Sequence, residues 1–302
     1  MKGILLAGGS GTRLRPLTNG LNKHLLPVFD KPMVFYPLAT LMQAGIRDIL
    51  LITHPADKPV FEALLGPGAG LGLKISYAVQ EKPNGIAEAF LIGEKFIDGE
   101  PCALILGDNI FHGGDFTELV SHAAKRKSGA SVFAREVHDP QRFGVVEFDG
   151  HGRARRLVEK PKDPRSNWAV TGLYLYDNQV TGIAKTLKPS ARGELEITDV
   201  NKAYLEKDAL NVECLDPTTA WLDTGTPEAL LEAANFIQKT EQNEGRKIAC
   251  LEEIAWRSGF ITLDQMMAAG AGYAKTAYGE YLATLYETEC AKNEKAELRV
   301  AS

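Results

Sequence analysis

The sequence predicts an α/β fold: a Rossmann-like, mixed but mostly parallel central sheet flanked by helices, with a helical C-terminal appendage. Three observations predict it. Short continuous apolar runs recur through the first half of the chain, as expected of strands covered on both faces. Segments of helical length separate those runs, which implies right-handed βαβ crossovers. From Pro227 onward the apolar spacing is helical only.

The elements follow in order. Gly3–Ala7 is the first buried strand. Met33–Ala44 has helical length and stops at Gly45, a C-cap residue. Ile49–Thr53, Ile75–Val79, Ala103–Leu106 and Ala130–Ala134 are further strands. Between them, Pro59–Leu65, Ile86–Phe96 and Phe116–Lys127 are helices. Then the pattern changes. "GVVEFDGHGRARRLVEK" is a hairpin, with strands Val145–Phe148 and Ala154–Val158 around a turn at Asp149–Gly152. "AVTGLYLYD" adds another strand. The later helices are Pro227–Gln242, Leu251–Arg257, Leu263–Ala269 and Tyr278–Tyr286, and the charged tail "ECAKNEKAELRVAS" is expected to fray. Residues 1–240 form the α/β domain and 241–302 the helical C-terminal segment.

Composition limits the function. The 302 residues are 44% apolar and 24% charged, ordinary for a soluble globular chain. A net charge of −5 argues against a nucleic-acid partner, which needs a basic face. No apolar run approaches the roughly 20 residues that span a membrane. The first strand is expected almost at once, so no signal peptide is expected. Cys102, Cys214, Cys250 and Cys290 lack CxxC spacing, so reduced thiols in a cytoplasmic protein are expected, without structural zinc.

The chemistry starts at "LLAGGSGTRLRPLT" (Leu5–Thr18). Its glycines follow a strand, so backbone N–H groups there can form a nest for phosphate. A plain glycine turn with solvated basic ends is the other reading. No GK[ST] ends the loop, and Leu14 stands where a dinucleotide fingerprint needs its third glycine. Arg13, Arg15 and Lys23 together suit a triphosphate, although each alone reads as a surface charge. Asp108 in "LGDNIF" and Asp223 in "AWLDTGT" each follow a short apolar run. Asp108 alone would serve equally as a helix cap at a strand end, and Glu159–Lys160 alone as a solvated pair.

Taken with "KPMVFYPLATLMQAGIRDILLI", "FGVVEF", "VEKP", "NWAVTGLYLYD" and "KPSARGELEITDVN", these motifs occur in one order along nearly the whole chain. In them the sequence resembles the sugar-nucleotide pyrophosphorylases, and within that family the glucose-1-phosphate thymidylyltransferases. The resemblance implies a reaction: dTTP and α-D-glucose 1-phosphate give dTDP-glucose and diphosphate, with Mg²⁺ as cofactor, in a homotetramer built as a dimer of dimers. It assigns a nucleotide part to about 1–135 and a sugar part to about 136–226. It places the nucleotide on Leu6, Gly8, Gly9, Gly11, Thr12, Arg13, Lys23, His24, Gln80, Pro83, Gly85 and Asp108. It places the sugar phosphate on Asn109, Gly144, Glu159, Lys160, Val170, Arg192 and Glu194. Asp108 and Asp223 would hold the metal, and Arg13, Lys23 and Lys160 would be catalytic.

The residue types suit that chemistry. Both reactants are anionic, and two unit charges at 4 Å repel by about 4 kcal/mol at an effective dielectric of 20. Charge neutralisation and positioning are therefore the task, and an ionised sugar phosphate needs no general base. Mg²⁺ takes hard carboxylate oxygens, a lysine suits phosphate as a point charge, and a Gln amide offers a donor and an acceptor to a pyrimidine edge.

Some positions depart from the family pattern. His24 stands where relatives usually have Gln, Phe143 where they have Tyr, and Glu81–Lys82 where they often have Pro and Ser. His24 is expected either to be protonated beside phosphate or to fill the glutamine's space while neutral. These departures leave UTP or another sugar 1-phosphate as near alternatives and the reaction class untouched; a non-catalytic sensor of sugar nucleotides is an alternative of another class. "CLEEIAWRSGFI", with Cys250, Glu253 and Arg257, resembles a second nucleotide site at a subunit interface, and an amphipathic helix packed on the core fits it equally.

Overall fold

The computed structural model describes residues 1–9 and 11–300. The opening apolar run is β1 (Lys2–Ala7), and a ribbon of β2 (Pro27–Val28) and β3 (Lys31–Pro32) leads into α1 (Phe35–Gln43). α1 starts two residues later than expected, because the Val34 N–H turns back to donate to the His24 carbonyl at 2.9 Å. β4 (Asp48–Thr53), α2 (Lys58–Leu65) and β5 (Lys74–Val79) match the sequence reading. The helix expected over Ile86–Phe96 is two, α3 (Glu88–Ile92) and α4 (Glu94–Ile97). They part at Gly93, where a Cβ would stand 3.0 Å from the Ala89 carbonyl oxygen and 3.1 Å from Ile4. The glycine lets this layer sit hard against the sheet.

β6 (Cys102–Leu106) is followed by β7 (Asn109–His112), α5 (Phe116–Ala123) and β8 (Ala130–Glu136). The expected hairpin is β9 (Gly144–Phe148) with β10 (Ala154–Glu159). Asp149 closes its turn by accepting from the His151 and Arg153 N–H groups at 2.8 and 3.0 Å. After β11 (Trp168–Tyr176) come four elements absent from the sequence reading: α6 (Val180–Thr186), α7 (Ile197–Leu205), β12 (Leu210–Cys214) and β13 (Ala220–Asp223).

The remaining helices have clear signals. α8 (Pro227–Glu244) starts at Thr226, whose hydroxyl accepts from the Ala229 N–H at 3.2 Å, and ends at Gly245 with φ +64°. α9 (Leu251–Arg257) and α10 (Leu263–Ala269) follow, the latter with a Thr262/Gln265 capping box. α11 runs from Ala277 to Val300, so the tail expected to fray is helical as far as it is described. Its alanines, glutamates and lysines are strong helix formers, and Glu289 pairs with Lys292 at 2.7 Å. Ala301 and Ser302 of that tail lie outside the described residues.

The main sheet runs β10-β9-β11-β6-β1-β4-β5, with β8 on β11 and β12 on β8. β6, β1, β4 and β5 are parallel, as are β8 and β12, whereas β11 is antiparallel to β6, β8 and β9. The strands feed two cores by strict alternation. Leu5, Ala7, Ile49, Leu51, Ala103 and Ile105 face one layer. Ile4, Leu6, Leu50, Ile52, Cys102 and Leu104 face the other. This is why the runs read as continuously apolar.

The first layer contains α1, α5 and the C-terminal helices, with Leu251, Ala255, Met266 and Leu282 in the same core as the sheet. Each such leucine or methionine contributes roughly 1.5–3 kcal/mol by burial. The second layer contains α3, α4, α6 and α7. β7 and β13 form a separate antiparallel ribbon with Asp223 opposite Asn109. It hangs at the edge where β1, β5 and β6 end, the edge at which open α/β sheets bind ligands.

Candidate active site

At that edge lies a cavity of about 740 Å³. Its wall contains every residue that the sequence reading proposed for the site except Gly11, Arg15 and Arg192. Gly11 (φ +56°) sits behind the wall, where a Cβ would meet Thr18 at 2.9 Å and Lys23 at 3.2 Å. Arg15 is exposed and does not line the cavity, so the basic trio reduces to Arg13 and Lys23.

β1 delivers Leu6, Gly8 and Gly9, and a short 3-10 turn then turns Arg13 into the cavity. Gly9 needs its glycine, with φ +89°. Asn22 holds this edge together, although the sequence reading missed it. Its buried amide donates to the Ala7 carbonyl at 3.2 Å and to Asp57 at 2.8 Å. Its oxygen accepts from the His24 backbone N–H and from ring Nδ1 at 2.9 and 2.8 Å. These bonds fix His24 as the Nδ1–H tautomer. The ring is fully buried, and burial, aided by the Lys23 charge, lowers its pKa to about 3. Burial thus favours the neutral ring that fills the glutamine's space.

Gln80 stands at the end of β5. Its Nε2 donates to Glu88 at 2.8 Å and to the Gly85 carbonyl at 3.1 Å. The nitrogen is committed, so the oxygen is the group presented beside Gly8, whose added Cβ would stand 3.0 Å from it. Gly85 (φ +109°) lies so close to the next loop that a Cβ would reach the Leu195 carbonyl oxygen at 2.3 Å.

β6 and the ribbon bring two carboxylates together. Asp108 is ion-paired with Lys23 and accepts from the Asn109 amide at 3.0 Å. Burial opposes its charge, but Lys23 wins and holds its pKa well below the usual range. Asp223 is shifted the other way. Burial raises its pKa first and the negative Asp108 second, against Arg13, Arg142 and Lys23. The side-chain oxygen of Asn109 is occupied as well: it accepts from the Gly172 N–H at 2.9 Å and from Trp221 Nε1 at 2.6 Å.

The other half of the cavity is built on the hairpin and α7. Glu159 accepts from Thr198 at 2.6 Å, and Lys160 and Arg192 lie 3.7 and 3.3 Å from its second oxygen. Lys160 adopts φ +44°, unusual without glycine, and its N–H donates to the Phe143 carbonyl at 3.0 Å. Gly144 faces Glu159 and Thr198, and Val170 and Glu194 complete this wall. Arg192 pairs chiefly with Glu196 at 2.7 Å and does not line the cavity.

The sequence reading missed Arg142, Thr198 and Trp221 as wall residues. Arg142 bonds Asp223 at 3.3 Å, and Phe143 lies against Trp221 with ring centroids 5.0 Å apart. Trp221 does sit two residues before Asp223 in "AWLDTGT", the one signal that was available.

A family model described as nucleotidyl transferase matches residues 2–240. The chain is a nucleotidyltransferase. A glucose-1-phosphate thymidylyltransferase of Neisseria gonorrhoeae is 56% identical to it over 282 residues, 93% of this chain and 98% of that one. The Mycobacterium tuberculosis H37Rv protein of the same name is 54% identical over 288 residues, 95% of this chain and 99% of its own. A Bacillus anthracis structure, described as a glucose-1-phosphate thymidylyltransferase with sucrose, superposes with a TM-score of 0.73 at 43% identity. It covers 78% of this chain and 94% of that one. A UDP-glucose pyrophosphorylase bound to UDP-glucose gives 0.69 at 27%, over 79% and 98%.

The nucleotidyltransferase has a second cavity of about 350 Å³ between α1, β7 and α9. Glu253 and Arg257 line it, while Cys250 is buried and does not. No helix among the described residues is long and apolar enough to cross a membrane.

Proposed function

We propose that the chain transfers dTMP from dTTP to α-D-glucose 1-phosphate, releasing diphosphate and forming dTDP-glucose. The observation that carries this reading is the cavity itself. It joins a glycine loop with Arg13 and Lys23 to a hairpin end with Glu159 and Lys160, and two facing carboxylates lie between them. Supporting it, the relatives named above bear the corresponding name across nearly the whole chain.

In this reading Leu6, Gly8, Gly9, Thr12 and Pro83 line the nucleotide half, and Arg13 and Lys23 neutralise the triphosphate. Gln80 accepts from the N3–H of the base through its oxygen, beside Gly85. Lys160 holds the sugar phosphate as a point charge. Glu159 accepts from sugar hydroxyls, oriented by Thr198. Gly144 leaves space there, with Val170 and Glu194 around it. Asn109 acts by aiming Asp108, and Arg192 by fixing Glu196 and Glu159. The sugar phosphate attacks the α-phosphorus directly, in line with the departing diphosphate, because it is ionised already. The division into a nucleotide part, about 1–135, and a sugar part, about 136–226, belongs to the same proposal.

The donors fit Mg²⁺. Asp108 and Asp223 offer hard oxygens to the same cavity, close enough for the charge of one to act on the other. Among the described residues no three His, Cys, Asp or Glu side chains gather as a metal site. Two carboxylates with phosphate and water oxygens are what Mg²⁺ commonly takes beside phosphates. Bound there, Mg²⁺ would supply charge neutralisation at the phosphates.

A second reading uses UTP. It rests on Gln80, because an acceptor facing N3–H recognises thymine and uracil alike. The proposal extends to a cytoplasmic homotetramer, a dimer of dimers, with the second cavity by Glu253 and Arg257 as a regulatory nucleotide site. Diphosphate release measured with dTTP, UTP, ATP and GTP against several sugar 1-phosphates tests the main reading. The expected result is the highest kcat/KM for dTTP with glucose 1-phosphate. A higher value for UTP favours the second reading, and no turnover with any pair refutes both.

A further inference from the structure

Arg142 belongs to no motif of the sequence reading, yet it lines the cavity and touches Asp223. It closes a short 3-10 turn, Pro140–Arg142. One arm of its guanidinium donates to Asp139 at 2.8 Å and the other to Asp223 at 3.3 Å. The group also lies over the Phe143 ring, 5.3 Å from its centroid. The two bonds are unequal. The Asp139 bond is short, whereas the Asp223 bond exceeds the usual range for N–H···O. Asp139 and Phe143 thus anchor the guanidinium, and Asp223 is the partner it can leave.

Asp223 needs such a partner. Its side chain is 19% exposed and faces the Asp108 carboxylate, which already has Lys23. With Arg142 in place, one oxygen of Asp223 is covered by a cation of the protein's own. Phosphates compete well for an arginine, because its planar fork binds their oxygens in pairs. We infer that Arg142 is an exchangeable cap on Asp223: it closes this carboxylate to free divalent cations and withdraws to the nucleotide phosphates when they arrive. The inference rests on the reading of Asp108 and Asp223 as the metal site. It makes Arg142 a positioning residue, and it makes nucleotide and metal enter together.

The test is Mn²⁺ binding by electron paramagnetic resonance, with and without dTTP. The wild type, Arg142→Gln, Arg142→Lys and Asp223→Asn are compared. Without nucleotide, Arg142→Gln should bind Mn²⁺ about fivefold more tightly than wild type, the scale of one partly exposed ion pair. Arg142→Lys keeps the charge and should stay near wild type. With dTTP, the wild type should gain a site that Asp223→Asn weakens. Equal nucleotide-free affinity in wild type and Arg142→Gln overturns the cap, and the metal reading survives if Asp223→Asn still weakens the dTTP-dependent site. If Asp223→Asn leaves that site unchanged, the metal reading fails and the cap fails with it.

Discussion

Trp221 donates a 2.6 Å hydrogen bond from its indole Nε1 to Asn109 Oδ1, and this bond joins the two strands whose ends carry Asp223 and Asp108. Asn109 passes the constraint on through its own amide to Asp108. Two carboxylates supplied by different segments are thereby held at one point of the cavity. Trp221→Phe keeps an aromatic ring beside Phe143 but removes the donor and part of the indole's packing against the core. It should cost about 1–3 kcal/mol in stability, the net value of one such bond plus the lost packing. The effect on turnover should be larger than the effect on KM for either substrate, because the loosened pair carries charge and not substrate contacts. Urea unfolding and steady-state kinetics on the same preparation check both parts.

Asp223→Asn should lower kcat by roughly 10²–10³, the usual cost of one preorganised electrostatic group. It should also raise Tm at pH 7. Burial and Asp108 raise the folded pKa of Asp223, so its ionised form disfavours the folded state. That penalty is fully present above the folded pKa. It shrinks as pH falls through that value and vanishes below the unfolded value near 3.9. The gain in Tm should therefore disappear in acid, and differential scanning calorimetry from pH 7 to pH 3.5 follows it.

His24 gives a prediction of the opposite sign. Its folded pKa is about 3, against about 6.5 in the unfolded chain. Stability is then complete above about 6.5 and falls with pH as the unfolded state takes up the proton. The loss attributable to this one group is about 2 kcal/mol at pH 5. His24→Gln should lose that much less between pH 8 and pH 5. The two proteins should share one pH profile of KM for dTTP between pH 6 and pH 9, since the buried ring stays neutral throughout. Denaturation and kinetics over that range test the two statements separately.

Glu88 orients the base-facing amide. Its carboxylate accepts from Gln80 Nε2 at 2.8 Å and from the Asn84 amide at 2.7 Å. Glu88→Ala releases Gln80 to rotate and should raise KM for dTTP several-fold, within the roughly 1–3 kcal/mol of an unsatisfied polar group. KM for glucose 1-phosphate should stay unchanged, because Glu88 is on the nucleotide side. Initial rates with each substrate varied in turn decide this.

How far the sequence exposed the molecule depends on the kind of signal. β1, β4 and β6 were legible because both faces are buried and the runs are therefore apolar throughout. Arg13, Lys23, Asp108, Glu159, Lys160 and Asp223 were legible through motifs, which mark positions but not contacts. α7 was missed because its stretch "ITDVNKAYL" places polar Thr198 and Asn201 on buried positions. Thr198 there supports Glu159, and Asn201 accepts from the Tyr176 hydroxyl at 2.6 Å. β7 and β13 were missed because each is only four residues long and pairs with the other across more than 100 residues of chain. Arg142 gave no signal because its meaning comes from Asp223, a neighbour in space alone.

The central claim is direct transfer between a nucleoside triphosphate and a sugar phosphate in this one cavity. Phosphorus NMR of the wild-type protein with dTTP, Mg²⁺ and α-D-glucose 1-phosphate tests it most directly. The account predicts one dTDP-glucose and one diphosphate for each dTTP consumed, and no consumption when the sugar phosphate is omitted. Release of orthophosphate in place of diphosphate, or loss of dTTP without a sugar phosphate present, would contradict it.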